Sequence, residues 1–386
     1  MSREQRPDTE IVNAGRRREW RQQMVNVPVH RGSTVLFDSV AEMKAAAPGF
    51  GKAYYGLHGT PTHWALAEAL TALEPGAAGT ALLPTGLAAI TAALTAVLSP
   101  GDELLMVDSC YGPTRRYCDE LLTRWGVTTC YYDPLATAAE LEPLIGARTR
   151  AIYLESPGTQ TFEVQDVPGI CDLARSRGLV TLLDNTWATP LLFPALSHGV
   201  DISLIAATKY VAGHSDVLLG AATATAEWCE RMQQTVFDLG HAVSPDDAYL
   251  GARGLRTMHV RLRQHETSTL QVARWLAEQP KVGTVLHPAL PSCPGHDYWL
   301  RDFRGSSSLF SFTLKDRGHD AAEQLVDSLA LFGLGYSFGG FESLATPARL
   351  MRTVSQPPEG GLVRLHIGFE DVDDLIADLD QALAQV

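Results

Sequence analysis

From residue 62 to residue 208 the chain alternates short apolar runs with segments of helical spacing, and this pattern restricts its fold more than any other feature. The runs are ALLP (81–84), ELLMVD (103–108), a stretch near 127–132, AIYLES (151–156), LVTLLD (179–184) and DISLIAAT (201–208). Between them lie HWALAEALTALE (63–74), the Ala-rich GLAAITAALTAVL (86–98) and helical stretches near 114–125 and 167–177. Strands that are apolar throughout are buried on both faces, and the helices between them supply the cover. The expected fold is α/β, a mostly parallel, doubly wound sheet. Such a sheet binds ligands at the carboxyl ends of its strands, where Thr85, Asp108, Glu155, Asp184 and Lys209 stand.

Residues 1–60 lack sustained periodicity and read as an arm that needs another surface to lie on. Residues 61–250 form the large domain. Near residue 250 the character changes. A long helix (about 255–278), strands at 308–314 and 362–369 and a helical tail predict a smaller C-terminal α/β domain over 251–386. No internal repeat or low-complexity tract occurs.

A formal net charge of −13 argues against a nucleic-acid partner, since neutralising phosphates needs clustered Lys and Arg. No apolar run approaches the roughly 20 residues that cross a bilayer, and the polar N-terminus carries no secretory signal pattern. No membrane association and a cytoplasmic location are the expectations. Six scattered cysteines without a C-x-x-C pair read as free thiols. His58 and His63 are poorly spaced for a metal on a helix, and no metal is expected.

Only five lysines occur, so an amine that bonds covalently to a cofactor has few candidates. Lys209 directly follows an apolar strand, where desolvation lowers an amine's pKa and makes it nucleophilic. Taken alone, a strand-end lysine reaching solvent is the plainer interpretation. Asp184 ends a buried strand, where a carboxylate is costly without a cation. A protonated pyridine nitrogen would serve, though a loop-orienting Asp is common. Thr85-Gly86-Leu87 joins a strand to a helix, so backbone N–H groups there can seat a phosphate. Tyr111 could stack on a planar ring or simply pack at a rim. Each signal is weak by itself. In order along the strand ends, the four make one pocket with a phosphate seat, a ring clamp, a pyridinium partner and an amine.

These residues, with YYGLHGTPTHWALAEAL (54–70), ESPGTQTFEVQDVP (155–168), LLDNTWATPLLF (182–193), AATKYVAGHSD (206–216), RGLRTMHVRLRQH (253–265), YSFGGFESL (336–344) and RLHIGFEDVDDLIADLD (364–380), resemble the cysteine/methionine-metabolism family of fold type I pyridoxal-phosphate enzymes. Within it the ESPG and GG-x-ESL segments lean towards the cystathionine β-lyase branch. The resemblance implies a carbon–sulfur lyase that releases pyruvate, ammonia and a thiol from cystathionine or a related cysteine S-conjugate. A γ-elimination or γ-replacement enzyme, or a catalytically weak regulatory homologue, are its alternatives. It also implies that Lys209 carries pyridoxal 5'-phosphate and moves the α-proton, that Asp184 pairs with the ring nitrogen and that Tyr111 stacks on the ring. Gly86, Leu87 and Thr208 would hold the phosphate, and Arg364 would clamp the substrate carboxylate with help from the backbone near Ser337. Tyr55 would reach in from a neighbouring subunit of a homo-oligomer, a tetramer built of two dimers.

The resemblance breaks at three places. The family's Tyr-x-Arg phosphate motif is Tyr55-Gly56-Leu57, followed by His58. Arg116 occupies a position often acidic in bacterial β-lyases, and Phe338 stands where Trp is usual. The first change implies that His58 or another cation serves the phosphate. The others fall where the substrate's far end would rest, so a thioether other than cystathionine is the expected substrate.

Overall fold

The computed structural model describes residues 6–386, and the first five residues of the expected arm lie outside them. Seven strands form the first sheet: β1 (Gly79–Leu83), β2 (Glu103–Val107), β3 (Thr128–Tyr132), β4 (Thr149–Glu155), β5 (Val180–Asp184), β6 (Ile202–Ile205) and β7 (Gly220–Ala224). Their order is β1-β7-β6-β5-β4-β2-β3. The ladders from β6 to β3 are parallel, and β7 runs antiparallel to both its neighbours. Leu104, Leu105, Ile152, Leu182 and Ile202 are fully buried, as strands covered on both faces must be.

Four expectations need adjusting. β6 stops at Ile205, short of the anticipated 208, because the chain turns there to place Lys209. The helix expected near 114–125 is α-helical over Gly112–Arg116 and π-helical over Tyr117–Leu122. β7, with the sequence GAATA, was not foreseen, since small residues carry little strand signal. They are needed there: a Cβ on Gly220 would come within 2.1 Å of the Thr85 carbonyl oxygen. The arm contains short helices at Pro7–Asn13, Arg18–Arg21 and Val40–Ala45. It buries Ile11, Trp20 and Val27 but leaves Leu36 90% exposed.

The second sheet has five strands where two were anticipated: β8 (Val282–Leu286), β9 (Leu309–Leu314), β10 (Gly333–Leu334), β11 (Leu344–Ala348) and β12 (Gly361–His366), ordered β10-β11-β12-β9-β8. The helices Met258–Ala277 and Val372–Ala384 pack in its core with Phe310, Phe312, Val363 and Leu365. Buried polar links tie the sheets together. Trp187 Nε1 donates to the Leu309 carbonyl at 2.8 Å. Asp108, at the end of β2, accepts from the backbone N–H groups of Thr353, Val354 and Ser355 and pairs with Arg115 at 2.5 Å.

Glu74, just after the helix Pro61–Leu73, is 1% exposed. Burial pushes its pKa up to about 8, while the Leu196 amide and Arg304 pull it down. A carboxyl whose folded pKa is raised binds its proton more tightly when folded. Stability should therefore fall as pH climbs from about 4.5 to about 8 and level off above. Urea titrations of Glu74→Gln across that range should show the fall reduced and the variant the more stable protein at pH 8. An unchanged slope would assign the effect elsewhere.

Candidate active site

A cavity of about 670 Å3 opens at the carboxyl ends of β4, β5 and β6 and is closed on one side by the second sheet. Gly86, Leu87, Tyr111, Asp184, Thr208, Lys209, Ser337, Phe338 and Arg364 all line it. Nine of the twelve residues singled out from the sequence thus meet at one place. Arg364 comes from β12, more than 150 positions from Lys209, and only the packing of the two sheets brings them together.

At one end of the cavity the helix Gly86–Val97 presents its first turn. The Thr85 hydroxyl and carbonyl take the amides of Ala88 and Ala89 at 3.0 and 3.1 Å. The amides of Gly86 and Leu87 have no acceptor among the described residues, as expected for an anion seat. A Cβ on Gly86 would lie 2.5 Å from Ala206 Cβ, so only glycine fits. Thr208 borders this end, but its hydroxyl already donates to Leu219 O at 3.1 Å and accepts from Leu219 N at 2.9 Å.

In the middle of the cavity Asp184 is 8% exposed and accepts from Thr186 N at 3.0 Å. No cation pairs with it among the described residues, and burial raises its pKa against the pull of Thr186 and Lys209. A buried carboxylate of this kind calls for a cation such as a ring N–H⁺. Burial, aided by the charge of Arg364, lowers the Lys209 pKa to about 8, with Asp184 opposing. Lys209 Nζ donates to Ser337 Oγ at 2.6 Å and stands 4.9 Å from the centre of the Phe338 ring. Ser337 itself is held at φ 109°. Arg364 is largely buried without an ion pair among the described residues, and burial lowers its pKa. A guanidinium held this way recognises a carboxylate. An amine, an unpaired anion, a vacant helix N-terminus and an aromatic at one cavity fit pyridoxal phosphate at every end.

The other three residues lie outside this cavity. Tyr55 is 49% exposed on the arm. Leu57 and His58 line a second cavity of about 300 Å3, where the His58 ring meets Tyr54 and Phe237 and its Nδ1 has no partner. Arg116 is exposed at the end of its short helix, close enough for its charge to lower the Tyr111 pKa against burial, Asp184 and Glu155.

One functional residue had been given no role. Glu155 Oε2 accepts the Tyr111 N–H at 2.7 Å and so fixes the turn that aims the aromatic ring. Its strand position is in register with Asp184. Burial first, and the Asp184 charge second, raise its pKa well above the carboxylate range, with the Tyr111 N–H pulling the other way. Its place at the end of the AIYLES strand was the available signal.

Comparison with known proteins follows the same lines. The family described as Cys/Met metabolism PLP-dependent enzyme matches residues 8–384. The cystathionine beta-lyase MetC of Escherichia coli is 44% identical over 390 residues, 98% of each chain. The cystathionine beta-lyase of Salmonella typhimurium is 43% identical with the same coverage. The crystal structure of metB from Corynebacterium glutamicum superposes with a TM-score of 0.91 at 31% identity, covering 98% of both chains.

Proposed function

Because the chain belongs to the Cys/Met metabolism family of pyridoxal-phosphate-dependent enzymes, we propose that it catalyses carbon–sulfur β-elimination from cystathionine or a related cysteine S-conjugate, releasing pyruvate, ammonia and a thiol. It is a carbon–sulfur lyase, and the observation that carries the reading is the placement of Lys209 between Asp184 and Arg364 in one cavity. When bound, pyridoxal phosphate withdraws electrons from the substrate's α-carbon. The protein does the rest. Arg364 receives the α-carboxylate as a fork and fixes which bond faces Lys209. Lys209 Nζ, softened by burial, takes the α-proton as general base, and Ser337 Oγ holds it in place. Asp184 would pair with the ring nitrogen, and Tyr111 would cover the ring from the position Glu155 sets. Gly86, Leu87 and Thr208 would hold the phosphate.

The enzyme works as a homo-oligomer, a tetramer of two dimers, in which Tyr55 completes a neighbour's site. The exposed arm residues Leu36, Val40 and Met43 support this assembly. No described helix is long and apolar enough to cross a membrane. All six cysteines are free, which suits a reducing compartment, and the reaction is placed in the cytoplasm.

Arg116 and Phe338 are assigned to the far half of the substrate, and His58, near Tyr55 on the arm, to a neighbour's phosphate, with an S-conjugate other than cystathionine as the preferred substrate. One preparation tests the whole reading: its mass by light scattering, then pyruvate release from L-cystathionine and from S-alkyl cysteines. Higher kcat/KM for an S-alkyl cysteine is expected. A clear preference for cystathionine would remove the substrate assignment, 2-oxobutyrate would replace β- by γ-chemistry, and a monomer would remove the role of Tyr55.

A further inference from the structure

Behind the cavity wall lies a buried chain of hydrogen bonds that the chemistry above does not use. Tyr210 OH meets Ser308 Oγ at 2.7 Å, and Ser308 Oγ meets His366 Nδ1 at 2.7 Å. The same Nδ1 faces the Gly339 N–H at 3.4 Å, and His366 Nε2 faces the Gly340 carbonyl at 3.2 Å. Tyr210 and Ser308 are buried, and His366 is 1% exposed.

The proton order along this chain is fixed by its members. An amide N–H can only donate, so His366 Nδ1 is an acceptor and the imidazole proton sits on Nε2, aimed at the Gly340 carbonyl. Ser308 must then donate to Nδ1, and Tyr210 must donate to Ser308. The Ser308 N–H closes the arrangement by donating to Tyr210 OH at 3.2 Å. Burial, with the charges of His265, Arg364 and Lys209, holds the His366 pKa well below the usual imidazole range. Every group has its partner in one direction only, so the chain cannot reverse without leaving a buried polar atom unmatched.

Each member sits beside a residue of the site. Tyr210 follows Lys209, Ser308 precedes Leu309 of the cavity wall, and His366 shares a strand face with Arg364. Gly339 and Gly340 follow Ser337 and Phe338. Gly339 is pressed on the Lys209–Tyr210 peptide, where a Cβ would come within 2.9 Å of Lys209 C and Tyr210 N. Ser337 meanwhile keeps φ at 109°, a conformation a serine holds only when its surroundings impose it.

We propose that His366 is a positioning residue: gripping the Gly339–Gly340 turn with both ring nitrogens, it holds Ser337 in its left-handed conformation and thereby sets where the Lys209 amine stands. The inference rests on the lyase reading only for its assay substrate.

A double-mutant cycle on the holoenzyme tests it, with His366→Asn and Ser337→Ala alone and together. Two quantities are read: kcat and KM for L-cystathionine, and the pH midpoint of the bound cofactor's visible absorbance. His366→Asn should lower kcat about 10-fold with KM within about 2-fold, and should add under about 2-fold in the Ser337→Ala background, as expected for residues acting through one contact. It should also move the absorbance midpoint, and Ser337→Ala should move it the same way. An unchanged kcat and midpoint, or equal effects in both backgrounds, would overturn the proposal. If His366→Asn does not fold, Tyr210→Phe, which deletes only the hydroxyl at the far end, goes through the same cycle under the same criteria. If the wild-type protein forms no pyruvate from cystathionine or from S-alkyl cysteines, the lyase reading fails by itself, and the absorbance midpoints decide the role of His366.

Discussion

Replacing Lys209 by alanine is expected to reduce pyruvate release by roughly 10^3-fold, inside the range that a positioned proton-transfer group supplies, while the protein stays folded. Among the described residues its side chain hydrogen-bonds to Ser337 Oγ alone, so little packing is lost, and thermal melts of variant and wild type should nearly coincide. Lys209→Arg separates charge from proton transfer. It restores a cation near Asp184 but cannot give up a proton at working pH, so it should be as inactive as the alanine variant. The Lys209 pKa of about 8 makes the same point, because an amine with that value exchanges its proton readily near neutrality and a guanidinium does not. If Lys209→Arg kept a tenth of the activity, Lys209 would be an electrostatic group and the base would lie elsewhere.

Asp108→Asn should have the largest effect on the fold. This carboxylate is 1% exposed and accepts from three consecutive amides, Thr353, Val354 and Ser355, from the Ser355 hydroxyl and from Arg115. Breaking a buried ion pair by removing one partner costs about 3–5 kcal/mol, because the other charge is left behind. The asparagine would also turn an N–H towards donors. Unfolding free energy from urea titration should drop by that amount, and hydrogen exchange at residues 353–355 should accelerate. The pH dependence has a definite sign. Burial alone would raise the Asp108 pKa, but the three amides and Arg115 outweigh it and bring the value down to about 2. A lowered folded pKa stabilises above the ordinary carboxylate value and loses that stabilisation as pH falls through the folded one. The gap between wild type and variant should be full at neutral pH and close between about pH 4 and pH 2. A loss below about 1 kcal/mol at neutral pH would mean that the strap is held by other contacts, such as Arg352 on Glu163. Since Asp108 and Arg115 flank Tyr111, kcat/KM should fall as well.

The sheet of the large domain was legible from the chain because burial leaves a mark on every strand that needs it. ELLMVD and LVTLLD are apolar throughout and could only be covered on both faces, and the residues that end such strands are placed at a ligand's edge by topology alone. Asp184, Lys209 and the Thr85-Gly86 turn were visible for that reason. β7 was not, because its small residues answer to a close backbone approach at Thr85 and not to apolar bulk.

Roles that depend on pairing across the fold had to wait for the structure. Nothing near Asp108 in sequence indicates that the amides it accepts from begin 245 residues away, and nothing near His366 shows that it grips the turn after Ser337. Glu155 stood at a strand end from the start, yet only the fold puts the Tyr111 N–H on its oxygen and Asp184 in register beside it. Thus the sequence alone determined the apolar strands of the first sheet and the standing of Lys209 and Asp184 near their ends, because periodicity and burial are properties of local residue types. Tertiary structure alone decided which distant polar groups meet, because a hydrogen bond depends on position to a fraction of an ångström, and only the packing of the two sheets sets that position.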